Sequence, residues 1–198
     1  KKEDAIVIGK TVHDEFGFGS FSVNVGKGYT IPQNPHDQKR TAGGSSGGAA
    51  VITALAEFHH VAIAESTGGS IEAPAAFCGV IGFCPTYGRI SRYGLISFAD
   101  SLDKIGIMTK SVAEILPILA VMAGFDEKDG TSLPETMKDD LRQKNVFRVG
   151  IIKEGLAAGV DPAIVASLQE TVNALQKQGV QVEEVSLPIT FKYGIPVY

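Results

Sequence analysis

The alternation of apolar and polar positions divides the chain into short strands, four helical stretches and three long irregular segments. Residues 5–8 (Ala5, Ile6, Val7, Ile8) form a β-branched run closed by Gly9, the pattern of a buried strand. Residues 61–64, 148–152 and 180–187 also read as strands. Residues 49–58 are Ala-rich and favour helix. Residues 71–77 suit a short helix with Pro74 in its first turn, where a missing N–H costs nothing. Residues 111–123 predict a helix opened by Ser111, with Glu114 three positions on, and closed by Gly124. Residues 162–177 predict an amphipathic helix capped by Asp161. The final order of strand, helix and strand implies a parallel pair and an α/β fold.

Between these elements, residues 14–38 are rich in Gly, Asn and Pro and carry Phe16, Phe18 and Phe21. Ordered loops of that length are uncommon in compact domains unless they serve a site. Residues 79–98 are broken by Gly and Pro and predict short strands and turns. Residues 125–144 hold Asp126, Asp129, Asp139 and Asp140 and predict a surface excursion. No internal repeat or low-complexity tract interrupts the pattern.

Composition narrows the class. With 198 residues, 44% hydrophobic and 20% charged, the chain can bury one sizeable core, which excludes intrinsic disorder. A net charge of −4 does not advertise attraction to a phosphate backbone, so any RNA is expected to be held by another chain. The apolar stretch 112–123 contains Glu114 and Pro117 and falls short of the ~20 residues of a bilayer span, so no membrane association is expected. The opening Lys1-Lys2-Glu3-Asp4 does not resemble a signal peptide, and both ends read as cuts within a longer polypeptide. Cys78 and Cys84 lack metal-ligand spacing and read as two buried thiols in a reducing cytoplasm.

The candidate chemistry lies in two turns, Gly43-Gly44-Ser45-Ser46-Gly47-Gly48 and Thr67-Gly68-Gly69-Ser70. Glycine lets the backbone take positive φ or approach a ligand closely, and each turn presents serine hydroxyls. In the second turn, main-chain N–H groups just ahead of Ser70 suit an oxyanion hole, whose donors are worth ~3 kcal/mol of barrier each. A serine hydroxyl needs a base. His13, His36, His59 and His60 fit no Ser/His/Asp pattern and read as structural or surface residues, and Ser45 is the alternative, passing the proton to a lysine. Turns of this composition also occur as linkers or phosphate cradles, but an apolar helix follows the first one and no lysine follows either as a P-loop requires.

These turns, together with Gly9-Lys10-Thr11, Asp14-Glu15-Phe16, Pro74, Phe77-Cys78-Gly79 and Pro85-Thr86, resemble the amidase signature family over nearly the whole chain. The resemblance implies a central mixed β-sheet covered by helices, with residues 1–198 as one partial domain. It implies Ser70 as acyl nucleophile, Ser45 in a cis peptide bond as proton relay, and an oxyanion hole from the N–H groups of Thr67, Gly68, Gly69 and Ser70. Gly43, Gly44, Ser46, Gly47 and Gly48 then form the supporting turn, and no metal is implied. The catalytic lysine is expected before residue 1 and the glutamine-gripping residues after Tyr198, so the 198 residues alone are expected to be inactive.

Within the family, residues 87–95, Ser101-Leu102-Asp103, Val185-Ser186-Leu187-Pro188 and Lys192-Tyr193-Gly194-Ile195-Pro196 are similar to the branch that serves tRNA-dependent amidation. That similarity implies glutaminase activity in the cytoplasm. Released ammonia passes to partner subunits of B and C type, which amidate Glu-tRNA or Asp-tRNA using ATP and magnesium, with no cofactor on this chain and tRNA met only indirectly. A small-molecule amidase and a non-catalytic scaffold with the same fold are the alternatives. Departures are Glu65-Ser66-Thr67 in place of the usual Ser-Asp-Thr, Glu72 in place of Arg, and one extra residue between Ser45 and Ser70, expected at 57–60. Glu65 and Glu72, if close, are expected to raise one another's pKa.

Overall fold

The computed structural model describes residues 4–134, 148–156 and 159–198. Two compact units, Lys1–Asp140 and Leu141–Tyr198, lie within the span read above as one domain. Among the described residues, no helix is long and apolar enough to cross a membrane.

In the first unit, helix α1 (Gly47–Leu55) is followed by strand β1 (Ala62–Ser66), helix α2 (Glu72–Cys78), strand β2 (Ile81–Phe83), strand β3 (Lys104–Thr109) and helix α3 (Ile115–Met122). The strands form an antiparallel sheet in the order β1-β3-β2, with Glu65 opposite Ile105 and Gly82 opposite Met108. Consecutive strand residues point to opposite faces. Met108 accordingly joins Ala42, Ala49, Ala50, Ile71 and Cys78 in one cluster, while Ile107 joins Ile90 and Leu119 in another. Both side chains are fully enclosed, and each burial is worth about 2–3 kcal/mol against exposure. Small residues at Gly47, Ala49 and Ala50 form the buried side of α1 and let the helix lie close to its neighbours.

Ser111 accepts from the Ala113 N–H at 3.2 Å and Glu114 accepts from the Ser111 N–H at 3.0 Å, closing the expected capping box. The first turn after the cap is a tighter helical turn, Val112–Glu114, before α3 proper. Helix α1 begins two residues before the expected start and ends at Leu55, so 57–60 lie in the connection to β1, where an extra residue disturbs no ladder.

Residues 5–8 form no strand. Ile6, Val7 and Ile8 are exposed and, among the described residues, no neighbouring strand pairs with them. A β-branched run has no ladder for its N–H and C=O groups without such a neighbour. Asp129, expected at the surface, is buried: its carboxylate accepts from the N–H groups of Arg92 and Thr131 at 2.8 and 2.9 Å. Asp139 and Asp140 lie outside the described residues.

In the second unit, β4 (Arg148–Ile152), α4 (Pro162–Lys177) and β5 (Gln181–Val185) form the expected parallel crossover, with Val149 opposite Val182. Asp161 accepts from the Ala163 N–H at 2.8 Å and caps α4, which buries Val172. Residues 188–197 form a further helix, α5 (Pro188–Val197), which the apolar pattern did not single out because Gly194 and Pro196 break helical propensity there.

Candidate active site

The first glycine turn is built around Ser45. Its side chain is buried, and the Gly44–Ser45 peptide bond is cis, as the resemblance implies. The Ser45 carbonyl accepts from the Asp14 N–H at 3.0 Å and the Ser22 hydroxyl at 3.1 Å. Ser22 Oγ in turn accepts from the Gly47 N–H at 2.9 Å. Asp14, fully enclosed, folds the loop over this turn by accepting from the Ser22 and Asn24 N–H groups, both at 2.8 Å. Gly44 is required by space: a Cβ there would lie 2.5 Å from Asp14 Oδ2 and 2.6 Å from the Ser22 nitrogen. The long loop thus serves the site, but Ser22 carried no signal in the sequence, and Asp14 belonged to the resemblance without a stated part.

The second turn leaves the end of β1 and enters α2. Ser70 and Thr67 are buried, Gly68 is exposed, and Gly69 adopts φ +137°, a conformation side chains disfavour. The Gly69 carbonyl accepts from the Ala73 N–H at 2.8 Å, which ties the turn to the first residues of α2.

Ser46 joins the two turns. Its N–H donates to the Ser70 carbonyl at 3.2 Å and its hydroxyl to the Glu65 carbonyl at 3.2 Å, so one residue holds both ends of the 65–70 segment. Ser45, Ser46 and Ser70 therefore occupy one buried locality fixed by main-chain hydrogen bonds. Of the four N–H groups assigned to the oxyanion hole, that of Gly69 donates to Ser66 Oγ at 3.2 Å.

The unusual acids separate. Ser66 donates to Glu72 Oε2 at 2.8 Å, filling the place of the absent Asp and Arg pair with a hydroxyl and a carboxylate. Glu65 faces another acid: the Thr67 hydroxyl lies 2.8 Å from Glu65 Oε1 and 2.6 Å from Asp103 Oδ1. The Glu65 carboxyl is raised above the usual range, first by burial and further by the Asp103 charge, against the lowering effects of the Thr67 hydroxyl, Lys104 and His13. The expectation that Glu65 and Glu72 perturb each other gives way to this geometry, in which Asp103, immediately before β3, is the facing carboxylate. Asp103 belonged to the resemblance, but a contact across 36 positions has no local signature in sequence.

Three of the four histidines have a polar partner. His13 Nδ1 lies 2.5 Å from the Asp14 carbonyl, His36 Nε2 lies 2.9 Å from the Cys78 carbonyl, and the exposed His59 ring lies 3.1 Å from Glu114. Burial and the nearby Lys110 lower the His60 pKa. Cys78 is buried and Cys84 half-buried; both are free, and burial pushes each thiol up to about 11, with Glu72 adding to the effect at Cys84. Among the described residues no cluster of three or more His, Cys, Asp or Glu side chains is arranged to hold a metal ion.

The fold and the paired serine turns define an amidase-type α/β protein, and the Amidase family model matches residues 1–198: the chain belongs to that family. It is 44% identical over 201 residues to the A subunit of the Trichormus variabilis glutamyl-tRNA(Gln) amidotransferase, covering 98% of this chain and 40% of that protein. The crystal structure of the A subunit of the Thermotoga maritima glutamyl-tRNA(Gln) amidotransferase superposes with a TM-score of 0.85 at 34% identity, covering 95% of this chain and 41% of that one. An allophanate hydrolase from Kluyveromyces lactis, carrying a serine-to-alanine substitution, superposes with a TM-score of 0.84 at 25% identity, covering 93% and 30%. The chain thus spans about two fifths of the amidotransferase subunits it resembles.

Proposed function

We propose that the protein containing this chain is the glutaminase subunit of a tRNA-dependent amidotransferase. Ser70 Oγ attacks the side-chain carboxamide carbon of glutamine, while its proton passes through Ser45 to a lysine outside these residues and from there to the departing ammonia. The N–H groups of Thr67, Gly68, Gly69 and Ser70 face the developing oxyanion, and Gly69 N–H exchanges Ser66 Oγ for that oxygen. Water then cleaves the glutamyl ester, regenerating Ser70 and releasing glutamate. Ammonia passes to B and C partner subunits that bind ATP and magnesium and hold the Glu-tRNA or Asp-tRNA, in the reducing cytoplasm that suits two free thiols.

The observation that carries this reading is the pair of hydrogen bonds from Ser46 to Ser70 and Glu65, which bring the two serine turns into one buried place. Similarity to an amidotransferase of this kind at 44% identity supplies the substrate class. A second reading, a scaffold that keeps the fold without turnover, is favoured by the Ser66–Glu72 contact and by the occupied Gly69 N–H. The two are separated by treating the full-length protein, in complex with its partner subunits, with a γ-activated glutamine analogue. A mass-spectrometric adduct on Ser70 is expected; no adduct on the complete complex selects the scaffold, and turnover of simple amides without partner subunits selects a small-molecule amidase.

A further inference from the structure

The Thr67 hydroxyl has one proton to give, yet its oxygen lies within hydrogen-bond distance of two carboxyl groups, Glu65 Oε1 at 2.8 Å and Asp103 Oδ1 at 2.6 Å. Two carboxylates share that single proton poorly, whereas both contacts are fully satisfied when one carboxyl is itself a donor. Asp103 is already surrounded by donors. Its oxygens accept from the Phe98 N–H at 2.8 Å and the Ala99 N–H at 3.0 and 3.1 Å. Among the described residues, the Glu65 carboxyl has Thr67 as its hydrogen-bond partner and no main-chain N–H facing it.

We propose that Glu65 is a positioning residue that works as a carboxylic acid, donating its proton to Thr67 Oγ1 while Thr67 donates to Asp103. The chain of donors fixes the Thr67 side chain, and through it the entry of the 67–70 backbone into the turn that carries Ser70. Thr67 and Glu65 act on the nucleophile only through that backbone. The titratable groups that face Glu65 are Asp103, immediately before β3, Lys104 at its first position, and His13, next to Asp14. Burial and then the Asp103 charge oppose ionisation of Glu65, and the Thr67 hydroxyl, Lys104 and His13 favour it without outweighing them.

Ionisation breaks the arrangement, because two negative carboxyls would then compete for one hydroxyl proton. A carboxyl that holds its proton more tightly in the folded protein stabilises the fold fully below its unfolded-state pKa, and that contribution is lost as pH rises through the folded value. Gln in place of Glu65 keeps a donor toward Thr67 at every pH, whereas Ala removes it.

This inference rests on the proposed acyl-enzyme, so its test has one readout that needs no turnover. In the full-length protein with its partner subunits, thermal unfolding midpoints of wild type and Glu65→Gln are compared between pH 4 and 8, together with the rate of Ser70 labelling by the γ-activated glutamine analogue. Wild-type stability is expected to fall relative to Glu65→Gln as pH rises, and the ratio of the wild-type to the Glu65→Gln labelling rate to fall in the same range, the ratio cancelling the titration of the relay lysine that both share. Glu65→Ala is expected to label more slowly throughout, by up to about 10²-fold, the scale of a misplaced reacting group. Parallel unfolding profiles for wild type and Glu65→Gln, or equal labelling by the Gln and Ala variants, overturns the proposal. If wild type takes no label at any pH, the glutaminase reading fails, and the unfolding comparison alone still upholds or overturns the proton on Glu65.

Discussion

Ser66 and Glu72, six positions apart on either side of the candidate nucleophile, are joined by a 2.8 Å hydrogen bond from the Ser66 hydroxyl to Glu72 Oε2. Ser66 is enclosed, whereas Glu72 reaches solvent, so the contact is a neutral donor on the inside meeting a charge on the outside. That order of polarity avoids an unpaired buried charge, the usual reason for keeping an acid and arginine pair intact.

The same geometry makes the pair separable by mutation. Ser66→Asp alone sets a second carboxylate against Glu72 and is expected to destabilise the protein by about 2 kcal/mol. Adding Glu72→Arg is expected to recover most of that loss, giving a favourable coupling in a double-mutant cycle followed by denaturant unfolding. A single variant as stable as wild type, or a double variant no better than the single, shows that the two positions do not face each other.

For the proposed chemistry, Ser70→Ala in the full-length protein is expected to remove glutaminase turnover, a loss of ~10³-fold or more. Ser45→Ala is expected to slow it by about 10²- to 10⁴-fold, as removal of a proton-transfer group does. Steady-state ammonia release measures both. Near-normal rates in either variant remove the serine relay from the mechanism.

Much of this was legible from local pattern. Asp161 with the apolar face of 162–177, Ser111 with Glu114, and the two glycine turns are signals contained in a few neighbouring residues, and the structure places a cap or turn at each. What escaped depends on residues far apart in sequence. Residues 5–8 have strand composition, but a strand exists only with a partner ladder. Strand β3 received no assignment although Ile107 and Met108 anchor both core clusters. Ser22 holds the Ser45 carbonyl across 23 positions, and Asp103 meets Thr67 across 36. Neither contact leaves a periodic trace.

The two thiols offer a measurement independent of turnover. With Cys78 and Cys84 both pushed up to about 11, only about a thousandth of either is thiolate at pH 8, so the folded protein is expected to resist iodoacetamide. Unfolding in denaturant is expected to speed alkylation of both. Cys78→Ala should lower stability, since it empties part of the cluster around Met108, and leave the rate of Ser70 labelling within about twofold. Rapid alkylation of the native protein at neutral pH, or slow labelling at unchanged stability, contradicts a packing role.

Asp14 carries the most exacting structural demand at the site. Its two carboxylate oxygens accept separately from the Ser22 and Asn24 N–H groups, and its own N–H donates to the Ser45 carbonyl. Asn in its place keeps the shape but turns an NH₂ toward one of those N–H donors, leaving a buried donor without an acceptor at a cost of about 1–3 kcal/mol. Because the loop closes over the Ser45 turn, the disturbance should reach the relay and not the glutamine-binding surface. Asp14→Asn is therefore expected to lower kcat with little change in KM, alongside a lowered unfolding midpoint. A raised KM at unchanged kcat would place Asp14 in substrate binding instead, and unchanged stability would mean that the loop is held by other contacts.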